Sequence, residues 1–351
     1  MSGPTGVGVG IVGVGQVGSK LAAEYLTVQR RGKINLMKVC DRSVAALGAL
    51  LITKETSSIT QEMLTQDVHE ILDNPDIAIV HIATPNPTHY ELAKMALATG
   101  KNVLIEKPMT LSSREAYELM DIAKERGLLI EVSHAIRFNR ALQVACEMLN
   151  GGELGKTFYI KVHWTDQTAL PDKDIVFTLG QNPLDILNLL LGSWPKDVSG
   201  VGKAYRNSGT HNDVAYIFAE YPNGVFAHIE LSWLNPVNVR EVSIVGSEGS
   251  LIVDCLNQRL VQHYLDSAYE IPVTPTSTTA SQIENFADRV TREDSTIDPI
   301  GPRIVETLEA ISKSLSEKKL TAVANVKYSD VEEIIERMVK KSSKDAKTNK
   351  S

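Results

Sequence analysis

Near its start the chain reads Val9-Gly10-Ile11-Val12-Gly13-Val14-Gly15-Gln16-Val17-Gly18, a Gly-x-Gly-x-x-Gly loop between an apolar run and an amphipathic one. Each glycine has a mechanical reason: Gly13 for a tight turn, Gly15 so that backbone can approach a pyrophosphate, Gly18 for close helix–strand packing. Backbone N–H groups around Gln16 and Val17 would then stand free at a helix N-terminus, where the dipole favours negative charge. Asp41 follows Gly18 by 23 residues, at the end of the next apolar run, where a carboxylate can accept hydrogen bonds from an adenosine ribose. It would repel a 2′-phosphate, which favours NAD, while Arg42 and Ser43 beside it could recruit one, so NADP stays open. Alone, such a loop also reads as a flexible glycine-rich segment; set between strand and helix, with Asp41 beyond, it predicts dinucleotide binding.

The elements that must carry this loop alternate. Strands are expected at Val7 to Val12, Ile34 to Cys40, Ile77 to Ala83, Asn102 to Ile105 and Leu128 to Val132. Helical patterns fall between them at Val17 to Arg30, Thr88 to Thr99 and Ser112 to Arg126, the last with Ser112 and Ser113 as candidate caps and Gly127 as its stop. This is the texture of βαβ units on a doubly wound parallel sheet, a Rossmann domain over residues 1–133. After Arg137 the pattern changes. A helix at Ala141 to Asn150 leads into extended runs: Thr157 to Trp164, Asp197 to Tyr205, Val214 to Tyr221, Val225 to Trp233, Arg240 to Val245 and Ser250 to Cys255. Turn signals at Pro222-Asn223-Gly224 and Gly246-Ser247-Glu248-Gly249 join neighbours directly, which predicts an α+β domain on an open, mostly antiparallel sheet over residues 134–325. Helices return at Ser281 to Val290, Arg303 to Leu315 and Ser329 to Lys340, and the closing Lys/Ser/Asp-rich tail has too little apolar content to pack.

A chain of 351 residues exceeds what one core usually serves, in keeping with two domains. The formal net charge of -7, without a basic stretch before the last dozen residues, argues against a nucleic-acid partner. No apolar run reaches membrane-spanning length and no signal-type segment opens the chain, so a cytoplasmic protein without membrane contact is expected. Cys40, Cys146 and Cys255 are scattered singly, which predicts neither a metal site nor disulfides but buried small hydrophobes. The sheet of the second domain has one face that few helices are left to cover, so a homo-oligomer, dimer or tetramer, is expected.

Further segments carry a resemblance. Ala83-Thr84-Pro85-Asn86-Pro87-Thr88-His89 follows one strand, Gly100-Lys101-Asn102-Val103-Leu104-Ile105-Glu106-Lys107-Pro108 contains the next, and Arg137-Phe138-Asn139, Trp233-Leu234-Asn235-Pro236 and Val245-Gly246-Ser247-Glu248-Gly249-Ser250 lie further on. With the glycine loop they resemble the glucose-fructose oxidoreductase, inositol dehydrogenase and MocA (Gfo/Idh/MocA) family, over about Val7 to Asp254. The resemblance implies an NAD(P)-dependent dehydrogenase acting on a secondary alcohol of a sugar, cyclitol or nucleotide sugar. It also implies that Thr84, Pro85 and Asn86 line the nicotinamide half of the cofactor, and that Glu106-Lys107-Pro108 aims Lys107 at the substrate through a cis bond before Pro108. An ammonium there can stabilise alkoxide-like charge, and partial burial beside a cationic ring would ease its role as a base. In isolation Glu106 and Lys107 would read as a surface ion pair.

The chain departs from the family at one stretch. Many members carry Asp-x-x-x-His-x-x-Asp at the start of a substrate-domain helix, with the histidine as acid/base. Here Thr178 stands for the first aspartate, Asn182 for the histidine, and only Asp185 agrees. Neither replacement carries a proton at neutral pH. Either Lys107 works alone with Thr178 and Asn182 holding substrate hydroxyls, or His163 or Tyr205 supplies the missing group, or the chain binds cofactor and ligand without turnover or reduces a substrate that needs no histidine. Hydrolysis through transient oxidation is a further possibility within the family. Arg137 and Asp185 are candidate substrate contacts, though Asp185 could equally serve a helix N-terminus. His134, His211 and His228 read as structural; Trp164 and Trp233 as packing residues, Trp164 with a second reading as a cleft wall. His89 reads as a local cap, or as a contact near the cofactor.

Overall fold

The computed structural model describes residues 6–167, 174–206, 211–294, 296–317 and 321–322. The first sheet comprises β1 (Val7–Val12), β2 (Ile34–Cys40), β3 (Leu64–Thr65), β4 (Ile79–Ile82), β5 (Asn102–Ile105) and β6 (Ile130–Val132). All are parallel, in the order β3-β2-β1-β4-β5-β6. The helices are α1 (Gln16–Gln29), α2 (Val44–Ile52), α3 (His69–Leu72), α4 (His89–Ala98) and α5 (Ser113–Arg126). The expected bounds of β1, β2 and β5 are met. The order reverses between β1 and β4, and at such a switch point the loops beyond the strand ends leave a crevice.

The expected serine cap of α5 is not formed by its own residues. Ser112 occupies the cap position without a capping bond. The Ser113 amide and hydroxyl instead donate to the Glu309 carboxylate, at 2.9 and 2.6 Å. The other end closes as read, on Gly127 in the left-handed region. Nothing in the sequence reading filled the stretch between β2 and β4, where α2, β3 and α3 lie; Val-Ala-Ala-Leu-Gly-Ala-Leu-Leu-Ile is apolar all round and shows no helical period.

The second region holds α6 (Arg140–Asn150), β7 (Thr157–Thr165), α7 (Ile175–Leu179), α8 (Gln181–Leu191), β8 (Asp197–Lys203), β9 (Val214–Glu220), β10 (Phe226–Ser232), β11 (Arg240–Gly246), β12 (Ser250–Asp254), β13 (Arg259–His263) and β14 (Ala268–Ile271). Then follow α9 (Thr278–Thr291), α10 (Ile300–Glu317) and β15 (Thr321–Ala322). The sheet runs β14-β13-β12-β11-β7-β10-β9-β8-β15 and is antiparallel except where β7 meets β10. Ile160, Val162 and Trp164 of β7, with Ala227, Ile229 and Leu231 of β10, face a core shared with Leu184, Leu187 and Leu308 from the helices. The alternate residues form the open face, where the Phe218 and His228 rings stack at 5.0 Å and Tyr159, Tyr216 and Phe226 are exposed.

Of the late helices, α10 packs on the second sheet through Ile304, Leu308 and Ile311, whereas α9 leaves it. Ala280, Ile283, Phe286 and Ala287 of α9 join the core of α1, β1 and β2, and Val305 of α10 joins that of β4 to β6. The helix expected at Ser329 to Lys340 and the tail lie outside the described residues. Cys40 and Cys255 are buried and Cys146 half-buried. Among the described residues, no helix is long and apolar enough to cross a membrane.

Candidate active site

The glycine loop has the shape its residues imply. Gly13 takes φ +98°, and a Cβ there would lie 2.7 Å from the Ala83 carbonyl carbon. A Cβ on Gly18 would come within 2.0 Å of the Gly13 oxygen. At Gly15 a Cβ would meet nothing within 4 Å, so the space above it is open to a ligand. Gln16 and Val17 are exposed at the start of α1, which has neither a side-chain cap nor an acidic residue in its first turn. Unpaired N–H groups, the dipole and open space together suit a pyrophosphate. Asp41 directly follows β2, with one carboxylate oxygen accepting from the Val14 amide at 2.7 Å and the other from the Ser43 amide at 2.8 Å. The carboxylate is thereby held at the loop, partly exposed, with lone pairs left for ribose hydroxyls. Arg42 beside it is exposed. These residues fit an NAD-type dinucleotide.

On the β4 side, the Thr88 hydroxyl donates to that of Thr84 at 2.7 Å, and Pro85 and Asn86 open a short 3-10 turn. His89 is fully buried, its ring nitrogens each 2.8 Å from a carbonyl oxygen, those of Thr84 and Pro108. It ties the Thr84 loop to the loop after β5 and does not itself open onto the cofactor crevice.

Lys107 emerges from the end of β5, and the bond to Pro108 is cis. Its Nζ donates to Asn182 Oδ1 at 2.8 Å, joining residues on α8 and β5 across the crevice. Burial lowers the amine from its usual range, with the Arg240 charge in the same direction and Glu106 and Asp185 opposing. Asp185, one turn beyond Asn182, is fully buried and pushed up to about 6, burial outweighing the Arg137 guanidinium. Arg137 reaches it from the 3-10 turn after β6, Nε to Oδ1 at 2.6 Å, and donates to Asn188 Oδ1 at 2.5 Å. This pair therefore braces α8 against the turn that follows β6, through Oδ1 of the carboxylate. Thr178 sits on α7 with its hydroxyl donating to the Asp174 carbonyl at 2.7 Å, which leaves it free only to accept.

The cluster contains one residue that the sequence reading set aside. His134 follows β6, is 5 % exposed, and has both ring nitrogens without a hydrogen-bond partner. Its Nδ1 stands 4.0 Å from Asp185 Oδ2, an oxygen that is also unpartnered. Burial first, then the charges of Lys107 and Arg137, hold the imidazole well below its usual range and neutral. Its position at the carboxyl end of a parallel strand, where sites of this fold gather, was the available signal. His163 points the other way: it lies on the open face of the sheet, 3.6 Å from Glu230. Tyr205 is 68 % exposed. Neither joins Lys107. Trp164 is buried under the Arg240 guanidinium, 4.8 Å from its ring, and Arg240 is bound to Asp166 at 2.8 Å.

The family model described as an oxidoreductase family with an NAD-binding Rossmann fold matches residues 7–134, and the GFO/IDH/MocA C-terminal domain matches residues 142–252. The chain is 31% identical over 212 residues to a scyllo-inositol 2-dehydrogenase (NAD(+)) of Bacillus subtilis, a match covering 57% of this chain and 62% of that one. It is 28% identical over 256 residues to a UDP-N-acetylglucosamine 3-dehydrogenase of Acidithiobacillus ferrooxidans, 72% of this chain and 75% of the relative. A levoglucosan dehydrogenase solved with NADH and levoglucosan superposes with a TM-score of 0.79 at 18% identity, over 91% of this chain and 100% of that one, which speaks for the fold. Family models matching both regions, with the glycine cradle and the lysine after β5 in place, show that the chain belongs to the GFO/IDH/MocA family of oxidoreductases and carries its NAD-binding Rossmann domain.

Proposed function

We propose that the protein is an NAD(P)-dependent dehydrogenase that interconverts a secondary alcohol and a ketone on a sugar, cyclitol or nucleotide sugar, with Lys107 as its acid/base group. The observation that carries this reading is the partly buried Lys107 amine, bound by the neutral Asn182 oxygen and lowered by its surroundings, at the strand end beside the dinucleotide crevice. A nicotinamide held by the glycine loop and Asp41 would supply the hydride acceptor. Lys107 takes the hydroxyl proton in oxidation and returns it in reduction, and as an ammonium it stabilises the alkoxide-like oxygen between those states. Asn182 orients the amine, while its amide nitrogen and the Thr178 hydroxyl oxygen are offered to further hydroxyls of the substrate. Arg137 and Asp185 hold α8 in place through Nε and Oδ1, while Asp185 Oδ2 is left to accept from a substrate hydroxyl.

The relatives are named for inositol, a UDP-linked amino sugar and levoglucosan, and uncharged site residues such as Asn182 and Thr178 suit polyhydroxylated rings rather than carboxylated ones. Asp41 at the ribose position favours NAD; Arg42 leaves room for NADP. The exposed aromatic face of the second sheet supports a homo-oligomer. The test is a panel of monosaccharides, inositols and UDP-sugars followed by nicotinamide absorbance with each cofactor, alongside Lys107→Ala. Reduction of the cofactor by one class, lost in the variant, is expected. Firm NAD binding without turnover on any class would favour a cofactor-binding sensor, and sugar release without net NADH a glycosidase.

A further inference from the structure

Behind Lys107 a chain of buried polar groups runs through the first domain. Tyr25 of α1 is 1 % exposed and His81 of β4 is 0 % exposed. Tyr25 Oη lies 2.9 Å from His81 Nδ1, with the rings edge to face. On the other side of the imidazole, Nε2 stands 3.5 Å from Oε1 of Glu106, the residue before Lys107. Apolar side chains would fill this layer between helix and sheet at no desolvation cost, whereas polar ones are tolerated there only when partnered.

The partners fix the direction of the hydrogen bonds. Glu106 is kept ionised against its burial by His81, Lys107 and Ser133, and an ionised carboxylate only accepts. His81 Nε2, 3.5 Å from Glu106 Oε1 and without any other partner, can serve that carboxylate only as a proton donor. With that proton on Nε2, Nδ1 is left to accept from the Tyr25 hydroxyl; burial together with the Glu106 charge pushes the phenol up, so its proton is retained. Phenol, imidazole and carboxylate form one line ending on the neighbour of Lys107. The line begins on α1, whose first turn forms the dinucleotide cradle.

We propose that Tyr25 and His81 are positioning residues: they hold the Glu106 carboxylate ionised and oriented behind Lys107 and so control the protonation of the Lys107 amine. This rests on the reading of Lys107 as the acid/base group. The charged and titratable groups facing Lys107 are Glu106 on its own strand end, Asp185 from α8, Arg240 from β11 and His134 after β6. Among them Glu106 is the one whose ionisation depends on Tyr25 and His81. When His81 no longer holds it, the Glu106 carboxylate binds a proton more readily and is free to turn away, and Lys107 feels less of the negative charge that opposes its burial; its midpoint then moves down.

The experiment uses the purified full chain without cofactor. Long-range proton–nitrogen spectra of histidine-labelled protein should show His81 with Nε2 protonated and Nδ1 bare. The Lys107 midpoint, read from carbon-labelled lysine and assigned with Lys107→Arg, should fall by about one pH unit in His81→Leu, a tenfold change in acidity. It should fall by less in Tyr25→Phe, and hold in His81→Gln, whose amide can still donate to Glu106. A protonated Nδ1 in the parent, or the same midpoint in parent and His81→Leu, overturns the proposal. Should His81→Leu fail to fold, Tyr25→Phe decides, because loss of one hydroxyl preserves the packing and an unmoved midpoint there is equally fatal. Turnover that survives Lys107→Ala would defeat the acid/base role of the lysine while leaving this control of its titration intact, so the two failures are distinct.

Discussion

Lys107 Nζ donates to Asn182 Oδ1 at 2.8 Å, a contact between residues 75 positions apart in the chain. The partner is neutral, so the bond orients the amine without adding a charge that would hold its proton. An imidazole or a carboxylate at the same place would share or oppose the proton transfer. On the proposed reading the burden falls on the lysine, lowered by burial and Arg240 and raised by Glu106 and Asp185.

Lys107→Ala is expected to lower kcat by roughly 10²–10⁴-fold, the usual worth of a positioned acid/base group. NAD affinity should stay within a few-fold, because the glycine cradle and Asp41 are untouched. Steady-state kinetics with equilibrium cofactor titration check both; equal losses in the two would sink the assignment.

Asn182→Asp places a carboxylate where a neutral oxygen now meets the amine. An opposite charge at that distance raises a lysine by roughly 1–3 units. Alcohol oxidation needs the free amine, so the rising limb of kcat/KM should move to higher pH by a similar amount. A pH profile that stays in place would show that the limb belongs to another group.

Asp185 couples stability to pH. Its carboxyl is raised from 3.8 to about 6 in the folded protein, so between those values the folded state holds the proton more tightly than the unfolded chain. The sign follows: this contribution is fully present below about pH 4 and is lost as pH rises through about 6. A shift of this size corresponds to about 3 kcal/mol. Urea denaturation of the parent and Asp185→Asn from pH 4 to 7 should show a downward slope that is shallower in the variant.

Gly15 and Gly18 should respond differently to the same methyl group. Gly15→Ala has room, so its Tm should match the parent while NAD affinity falls by on the order of tenfold, the methyl standing where the pyrophosphate approaches. Gly18→Ala would drive a methyl into the Gly13 carbonyl oxygen, and backbone cannot swing aside; a loss of roughly 1–3 kcal/mol in stability is expected. Thermal melts and cofactor titrations on both variants separate these outcomes.

The open sheet face predicts assembly. Phe218→Glu places a charge beside the Phe226 and His228 rings, and should convert a sedimenting oligomer to a smaller species with the secondary structure unchanged. A monomeric parent would refute the expectation.

The sequence alone determined whatever depends on local rules. Gly13, Gly15, Gly18 and Asp41 could be read because turn geometry and strand–helix spacing act within some thirty residues, and β1, β2 and β5 because short, mostly apolar runs stand between turn and helix signals. Lys107 and Asn182 were visible through the motifs around them. Only the tertiary structure decided which groups meet there. His134 looked like an ordinary core histidine until β6 set it beside Asp185; His163 looked like a candidate until the register of β7 turned it to the far face. Tyr25 and His81 carried no signal, being polar residues in apolar periods whose use depends on a carboxylate from another strand. The physical reason is common to all of them: burial and charge at a site are sums over elements distant in sequence, and no local pattern encodes that sum.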